Sequence, residues 1–453
     1  MSTAISCARF NAYVGLTRSP ATELFSNELE WFAGQGERLL GVVMLDIIDY
    51  DFAYVVLARD EHQKFRAVAF DASYPSQDEA RTRLFQEMDR LALLDDSEFH
   101  QGDGLAGIDL FSPITHPNKQ NLAFKLIHED EGHSSARSII QEMMHHYRDV
   151  DGNFVEQFQS TAFDARLWEL YLFAYLNEEG LWIDREHHAP DFMVTKYGET
   201  VCVEAVTVNP SQSPMPGIDQ AKLKSPSPEY VAELLAGYMP IKFGSPLFSK
   251  LSKRYWELEH VQGKPLVFAI ADFHETGSMM WSSSALFQYL YGVRHDFHVD
   301  EDGQLVISSL KVESHRLGEK EIPSGFFFQK DAEYVSAVMF SASGTISKFN
   351  RMGKQAGFGS DRVRMIRSGT CHDHDPNAAL PKPFTIEVTP DAVTESWGEG
   401  LSMFHNPRAL HPVPEELFPS IAHHHFVDGQ ILSRLPEFHP YSSMTVILIP
   451  RDE

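Results

Sequence analysis

Three carboxylates in the middle third of the chain lie where they could hold a divalent cation. Glu169 falls within Asp164–Ala165–Arg166–Leu167–Trp168–Glu169–Leu170, a stretch of helical character. Asp191 follows Pro190 at the start of an extended run that ends at Lys196. Glu204 lies inside Val201–Cys202–Val203–Glu204–Ala205–Val206, with apolar neighbours on both sides. A carboxylate in such a strand is costly to bury unless it is paired or bound to a metal. Two carboxylates on adjacent strands can aim at one spot, and oxygen ligands suit Mg²⁺ or Mn²⁺, hard cations that keep several waters. A third carboxylate from a packed helix would complete the set. A cation held in this way can activate water and stabilise charge on a phosphodiester.

The elements that must position these groups follow in a readable order. Ser134–Asn177 is helical in two stretches, with Ile139, Met143 and His146 on one face of the first. Leu181–Asp184, Asp191–Lys196 and Thr200–Val208 read as strands, and the turn at Tyr197–Gly198 makes the last two a hairpin. Asn209–Pro228, rich in Pro and Ser, reads as a long loop. A helix is expected from Pro246 to about Glu259, capped by Ser245 with Pro in its first turn. Pro265–Asp272 then reads as a buried strand.

This arrangement resembles the PD-(D/E)xK nuclease superfamily. The matching residues are Pro190–Asp191 and Glu204–Ala205–Val206, with Glu169 on the preceding helix, and the likeness covers roughly Ser160 to Asp272. It implies a restriction-endonuclease-like core, a central mixed sheet flanked by helices, and Mg²⁺- or Mn²⁺-dependent cleavage of nucleic acid, DNA rather than RNA, in genome defence or repair. Asp191 and Glu204 would be the principal metal ligands and Glu169 an auxiliary one. Val206 stands where the superfamily has a lysine that positions the attacking water. In some members a lysine from a neighbouring helix does this work, and here Lys250, or else Lys253, is the candidate. If neither reaches the site, the resemblance implies a degenerate fold that binds nucleic acid or a protein partner without cutting. Plainer readings compete: Glu169 as a partner of Arg166, Asp191 as a strand-entry residue, Glu204 as a salt-bridged strand residue.

The chain as a whole is acidic. Of its 453 residues, 38 are Lys or Arg and 64 are Asp or Glu, a formal charge of −26 that repels nucleic acid and anionic membranes at long range. A third reading, a scaffold that recruits basic partners, rests on that charge alone. Two stretches run against it. Lys242–Lys264 holds five Lys/Arg against two Glu, and Lys348–Arg367 holds six against one Asp, with Phe349, Phe358 and several glycines interleaved. Lys348, Arg351, Lys354 and Lys253 are therefore the expected phosphate contacts; a solvated basic loop is the alternative. Among the 22 histidines, Cys371–His372–Asp373–His374–Asp375 and His423–His424–His425 offer transition-metal ligands without the spacing of a closed zinc site. No phosphate loop of the GxxxxGK type and no GxSxG elbow is present.

Cys7, Cys202 and Cys371 are too scattered for a disulfide framework, Met1–Arg18 has no signal-peptide pattern, and no apolar run approaches a bilayer span. A cytoplasmic address without membrane attachment is expected, and a homodimer is left open. The fold class expected is multidomain α+β or α/β: residues 1–118 an N-terminal α+β domain, 119–298 the nuclease-like core, and 299–453 a C-terminal, mainly β region.

Overall fold

The computed structural model describes residues 2–34, 36–102, 107–211, 218, 220–223, 227–390 and 395–450. Residues 103–106, and parts of the expected loop at 209–228 (212–217, 219 and 224–226), lie outside them. The chain is mixed α+β and multidomain, with a large mixed sheet flanked by helices. No helix among the described residues is long and apolar enough to cross a membrane.

The N-terminal residues form a five-stranded antiparallel sheet, ending in Leu39–Asp46, Phe52–Arg59 and Phe65–Tyr74. The helix Gln77–Leu91 lies on it and buries Ala80, Leu84, Met88 and Leu91, a spacing of four, four and three that keeps them on one stripe. The Ser76 hydroxyl caps this helix by accepting the Glu79 N–H at 3.3 Å.

The central sheet has eight strands. From one edge their order is Gln430–Arg434, Ala422–Val427, Leu401–His405, Ala337–Ser341, Leu266–Asp272, Glu199–Val208, Phe192–Lys196 and Trp182–Asp184. The sheet thus runs across the boundary expected at 298/299, taking four strands from each side. Alternation decides what each face meets. Val201, Val203, Val267 and Ala269 pack with the helix Phe163–Glu178, whereas Cys202, Val206, Phe268 and Ile270 pack with Phe243, Leu247 and Leu251 of the helix Met239–Leu251. The helix Phe163–Glu178 is apolar almost all round, as a helix enclosed on every side must be. Its Trp168 indole N–H donates to the Ala269 carbonyl at 2.8 Å, which pins it against the sheet.

Three expectations need correction. The helix expected to start at Pro246 begins at Met239 and carries Pro246 in its interior, so Ser245 is not its cap. An interior proline costs about 3 kcal/mol, and the buried side chains of Met239, Phe243, Leu247 and Leu251 outweigh it. In the C-terminal region expected to be mainly β, the aromatic run Phe326–Gln329 reads as a strand but is a 3₁₀ turn over Phe326–Phe328, preceded by Gly325 in the left-handed region and burying two adjacent rings, Phe326 and Phe327. The basic stretch from Lys348, expected as an exposed phosphate-binding surface, begins as the buried helix Ile346–Gln355.

Candidate functional site

The hairpin turn sets the register of the site. Tyr197 and Gly198 both have positive φ, 56° and 84°, the geometry of a two-residue turn whose twist matches its strands. Lys196 is then opposite Glu199 and Phe192 opposite Val203, so Asp191, one residue before the strand, faces Glu204. The two side chains clasp each other's backbone: the Asp191 N–H donates to Glu204 Oε2 at 3.2 Å, and the Ala205 N–H donates to Asp191 Oδ2 at 2.7 Å. Both lie on the face covered by the helix Met239–Leu251.

That helix delivers Lys250, whose ammonium donates to Glu204 Oε1. The Tyr255 hydroxyl, four residues past the helix end, donates to the same oxygen at 2.5 Å. Val206, two residues beyond Glu204 in the strand, is buried among the apolar residues that seat this helix. The amine therefore arrives from the packed helix beside a valine on the strand. Lys253 is exposed, its ammonium 5.8 Å from the centre of the Tyr255 ring.

Glu169 is buried but otherwise engaged. Arg166 donates to both its oxygens at 2.8 and 2.9 Å, Tyr147 donates to Oε2 at 3.1 Å, and Arg185 stands 3.9 Å away. It projects from the helix on the opposite face of the sheet, yet its charge reaches Asp191. Burial raises the Glu169 carboxyl against the pull of Arg166 and Arg185. Burial, and then the charges of Glu204 and Glu169, push Asp191 up to about 8. Asp191 also keeps one oxygen, Oδ1, to which nothing among the described residues donates.

The residues that sequence reasoning missed are Tyr255, Arg185 and Tyr147. None carries a periodic or motif signal; each becomes part of the site only because its element packs there. His260, which donates to the Ala189 carbonyl at 2.7 Å and stacks on His187 at 3.8 Å, holds the approach to Asp191 in the same way.

Of the four expected phosphate contacts, Lys348 and Arg351 are corrected: they are buried and ion-paired with Glu395 at 2.7 Å each. Their helix spacing puts them on a face that a remote carboxylate covers, so neither can reach a phosphate. Lys354 is half-buried and donates to the Ser360 carbonyl at 3.1 Å. Lys253 alone of the four is exposed, near the ring of Tyr255, whose hydroxyl donates to Glu204.

The crowding at Asp191 has a measurable consequence. An unfolded aspartate titrates near about 4 and the folded one at about 8, so the folded state holds the extra proton between them. By linkage, stability without a cation falls as pH rises through that window. Asp191→Asn removes the charge, and its amide oxygen can still accept the Ala205 N–H. In chelator at pH 8 its melting midpoint is expected to rise by several degrees over the parent, by scanning calorimetry. An unchanged or lower midpoint would mean that charge crowding does not strain the pair.

No family model, no curated protein and no solved structure matches the chain.

Proposed function

We propose that the chain is a metal-dependent nuclease with a restriction-endonuclease-like core of the PD-(D/E)xK kind, hydrolysing phosphodiester bonds of nucleic acid, DNA in preference to RNA, in genome defence or repair. The observation that carries this reading is the cross-strand pair Asp191–Glu204 with the Lys250 ammonium delivered to it from the helix on the same face. A lysine arriving from a helix meets the need that Val206 leaves on the strand.

The donor set fits a hard divalent cation. It is all oxygen, it is crowded enough that Asp191 resists ionising alone, and no described residue donates to Asp191 Oδ1. Asp191 and Glu204 would hold Mg²⁺ or Mn²⁺, with Glu169 auxiliary. A cation there supplies Lewis-acid polarisation of a phosphoryl oxygen and lowers the cost of deprotonating water. The rest falls to the chain's own groups. Lys250 offers positive charge where negative charge develops on the phosphate. Tyr255 orients Glu204 through the same oxygen that Lys250 holds. Lys253, exposed near the Tyr255 ring, would meet the backbone of the substrate. With a formal charge of −26 on the whole chain, such local cations must do the attracting.

One observation favours a second reading, a degenerate fold that binds nucleic acid or a partner without cutting. Glu169 and Glu204 already have cationic partners in Arg166 and Lys250, so two of the three carboxylates are compensated without a metal.

The test is cleavage of several DNA and RNA substrates with Mg²⁺ or Mn²⁺, alongside Mn²⁺ calorimetry. Glu204→Gln keeps shape and removes the charge a hard cation needs; it is expected to abolish both Mn²⁺ binding and cleavage. Equal Mn²⁺ binding in parent and variant removes Glu204 as a ligand. Nucleic-acid binding without cleavage under either cation selects the degenerate reading.

A further inference from the structure

We propose that the chain carries a second metal site, for a transition-metal dication of the zinc class, with His405, His423 and Glu415 as its ligands. It lies on the other half of the central sheet. The strands Leu266–Asp272 and Ala337–Ser341 separate it from the strand that bears Glu204.

The sheet sets up the site. Leu401–His405 and Ala422–Val427 are parallel neighbours with Met403 opposite His423. By alternation His405, His423 and His425 all stand on one face. Their rings stack, His405 to His423 at 5.2 Å and His405 to His425 at 4.1 Å between centres. The 3₁₀ turn Glu415–Leu417, in the connection between the two strands, brings Glu415 to the same place. One ligand atom from each of His405, His423 and Glu415 lies within 4.8 Å of the other two.

The hydrogen bonds around the group settle which atoms are available. His423 Nε2 is 2.9 Å from the Phe418 carbonyl oxygen, which can only accept, so Nε2 carries the proton. Nδ1 therefore presents a bare lone pair, and it points at His405 Nε2, 2.9 Å away. An imidazole held to a backbone carbonyl by one nitrogen, with the other free toward the ion, is the usual support for a metal-ligating histidine. Glu415 is oriented as well: Oε1 is 2.6 Å from His425 Nε2 and Oε2 accepts from Arg434 at 2.8 Å. Each of those oxygens keeps a further lone pair.

Burial and access are both suitable. His405 and His423 are buried, and a neutral imidazole is the form that binds metal. The Glu415 and His425 side chains are 30% and 37% exposed, which leaves a way in from solvent. Two imidazole nitrogens and one carboxylate suit Zn²⁺ or its neighbours in the first transition row, and not Mg²⁺, which takes oxygen. Three protein ligands leave a fourth position for water or a substrate atom. Zinc–nitrogen bonds of about 2.0–2.1 Å put tetrahedral ligands roughly 3.3 Å apart, so His405 and His423 need move apart by only a few tenths of an ångström. Without an ion, His405 Nε2 carries the proton of a single N–H···N bond to His423 Nδ1, and the ion must displace that proton, to His405 Nδ1 or to solvent; that is the arrangement the experiment must distinguish.

The experiment uses the full chain with Glu204→Gln, which silences the carboxylate site, and titrates it with Zn²⁺ alone by calorimetry in chelator-treated buffer. A single saturable equivalent is expected. Adding Glu415→Gln, at a half-exposed position that should not disturb folding, is expected to weaken Zn²⁺ at least tenfold, and His405→Gln likewise. Co²⁺ gives an independent readout: the starting protein should develop the intense visible absorption of low-coordinate Co²⁺, and Glu415→Gln should lose it. Absence of saturable Zn²⁺ binding in the starting protein overturns the proposal. So does equal affinity in the Glu415→Gln and His405→Gln forms, each shown to be folded by circular dichroism.

Discussion

Glu395→Ala is expected to destabilise the fold by about 3–5 kcal/mol, the cost of stranding buried charge, against a total of about 5–15 kcal/mol for a typical protein. Three cations converge on this one carboxylate. Lys348 donates to Oε1 at 2.7 Å, Arg351 donates to Oε2 at 2.7 Å and to Oε1 at 2.8 Å, and Arg367 lies 3.4 Å from Oε1. Their side chains are 0%, 1% and 3% exposed, so water cannot replace the lost partner. Arg367 keeps a second carboxylate, Glu399, but Lys348 and Arg351 are left with uncharged contacts, the Ser396 carbonyl and, at 2.7 Å, the Thr445 hydroxyl. Urea denaturation followed by circular dichroism checks this at neutral pH, and a midpoint equal to the parent's would refute it. Arg351→Glu should fail to fold for the same reason, placing two carboxylates face to face.

The same cluster gives an acid sensitivity with a definite sign. Burial alone would raise the Glu395 carboxyl, but Arg351, Lys348 and Arg367 overcome it and hold the group well below the usual carboxylate range. A carboxylate depressed in the folded state adds stability above its unfolded value, about 4.3, and loses it as pH falls toward the folded one. Acid unfolding fed by this group therefore starts below about pH 4.

Lys250→Ala is expected to cut turnover by about 10²-fold or more, the usual loss when a preorganised positive contact to a developing anion is removed. The proposed nuclease reading gives this amine the work that Val206 cannot do. The variant should not weaken Mn²⁺ binding. Lys250 is one of two donors to Glu204 Oε1, so removing it leaves that oxygen to Tyr255 alone and takes no ligand atom away. Nucleic-acid binding should persist through Lys253. Single-turnover cleavage beside Mn²⁺ calorimetry separates these effects. Parental turnover in Lys250→Ala rejects this lysine, and Lys253, exposed near the Tyr255 ring, is the next to substitute.

By itself the sequence determined the local frame of the candidate site. The turn at Tyr197–Gly198 and the two-residue alternation of its flanking strands already required Asp191 and Glu204 to face one another, because turn chemistry and side-chain alternation act over a few residues. Lys250 was also named as a candidate, through the resemblance, which implies a lysine from a neighbouring helix where the strand has Val206. Its helix was misplaced, because Pro246 looks like a start when only neighbours are considered, and the buried face that carries the helix through it is made by distant strands. Tertiary structure alone decided the fate of the charges. Lys348 and Arg351 resemble a phosphate-binding stretch until Glu395, 44 residues from Arg351, is folded against them. Glu169 reads equally as a metal ligand or a salt-bridge partner until Arg166, Arg185 and Tyr147 close around it. His405 joins His423 only through the parallel pairing of two strands at the far side of the sheet, a part of the chain whose strands were expected to form a region of their own. The burial energy of a charged group depends on what stands within a few ångströms of it, and that neighbour need not be near in sequence.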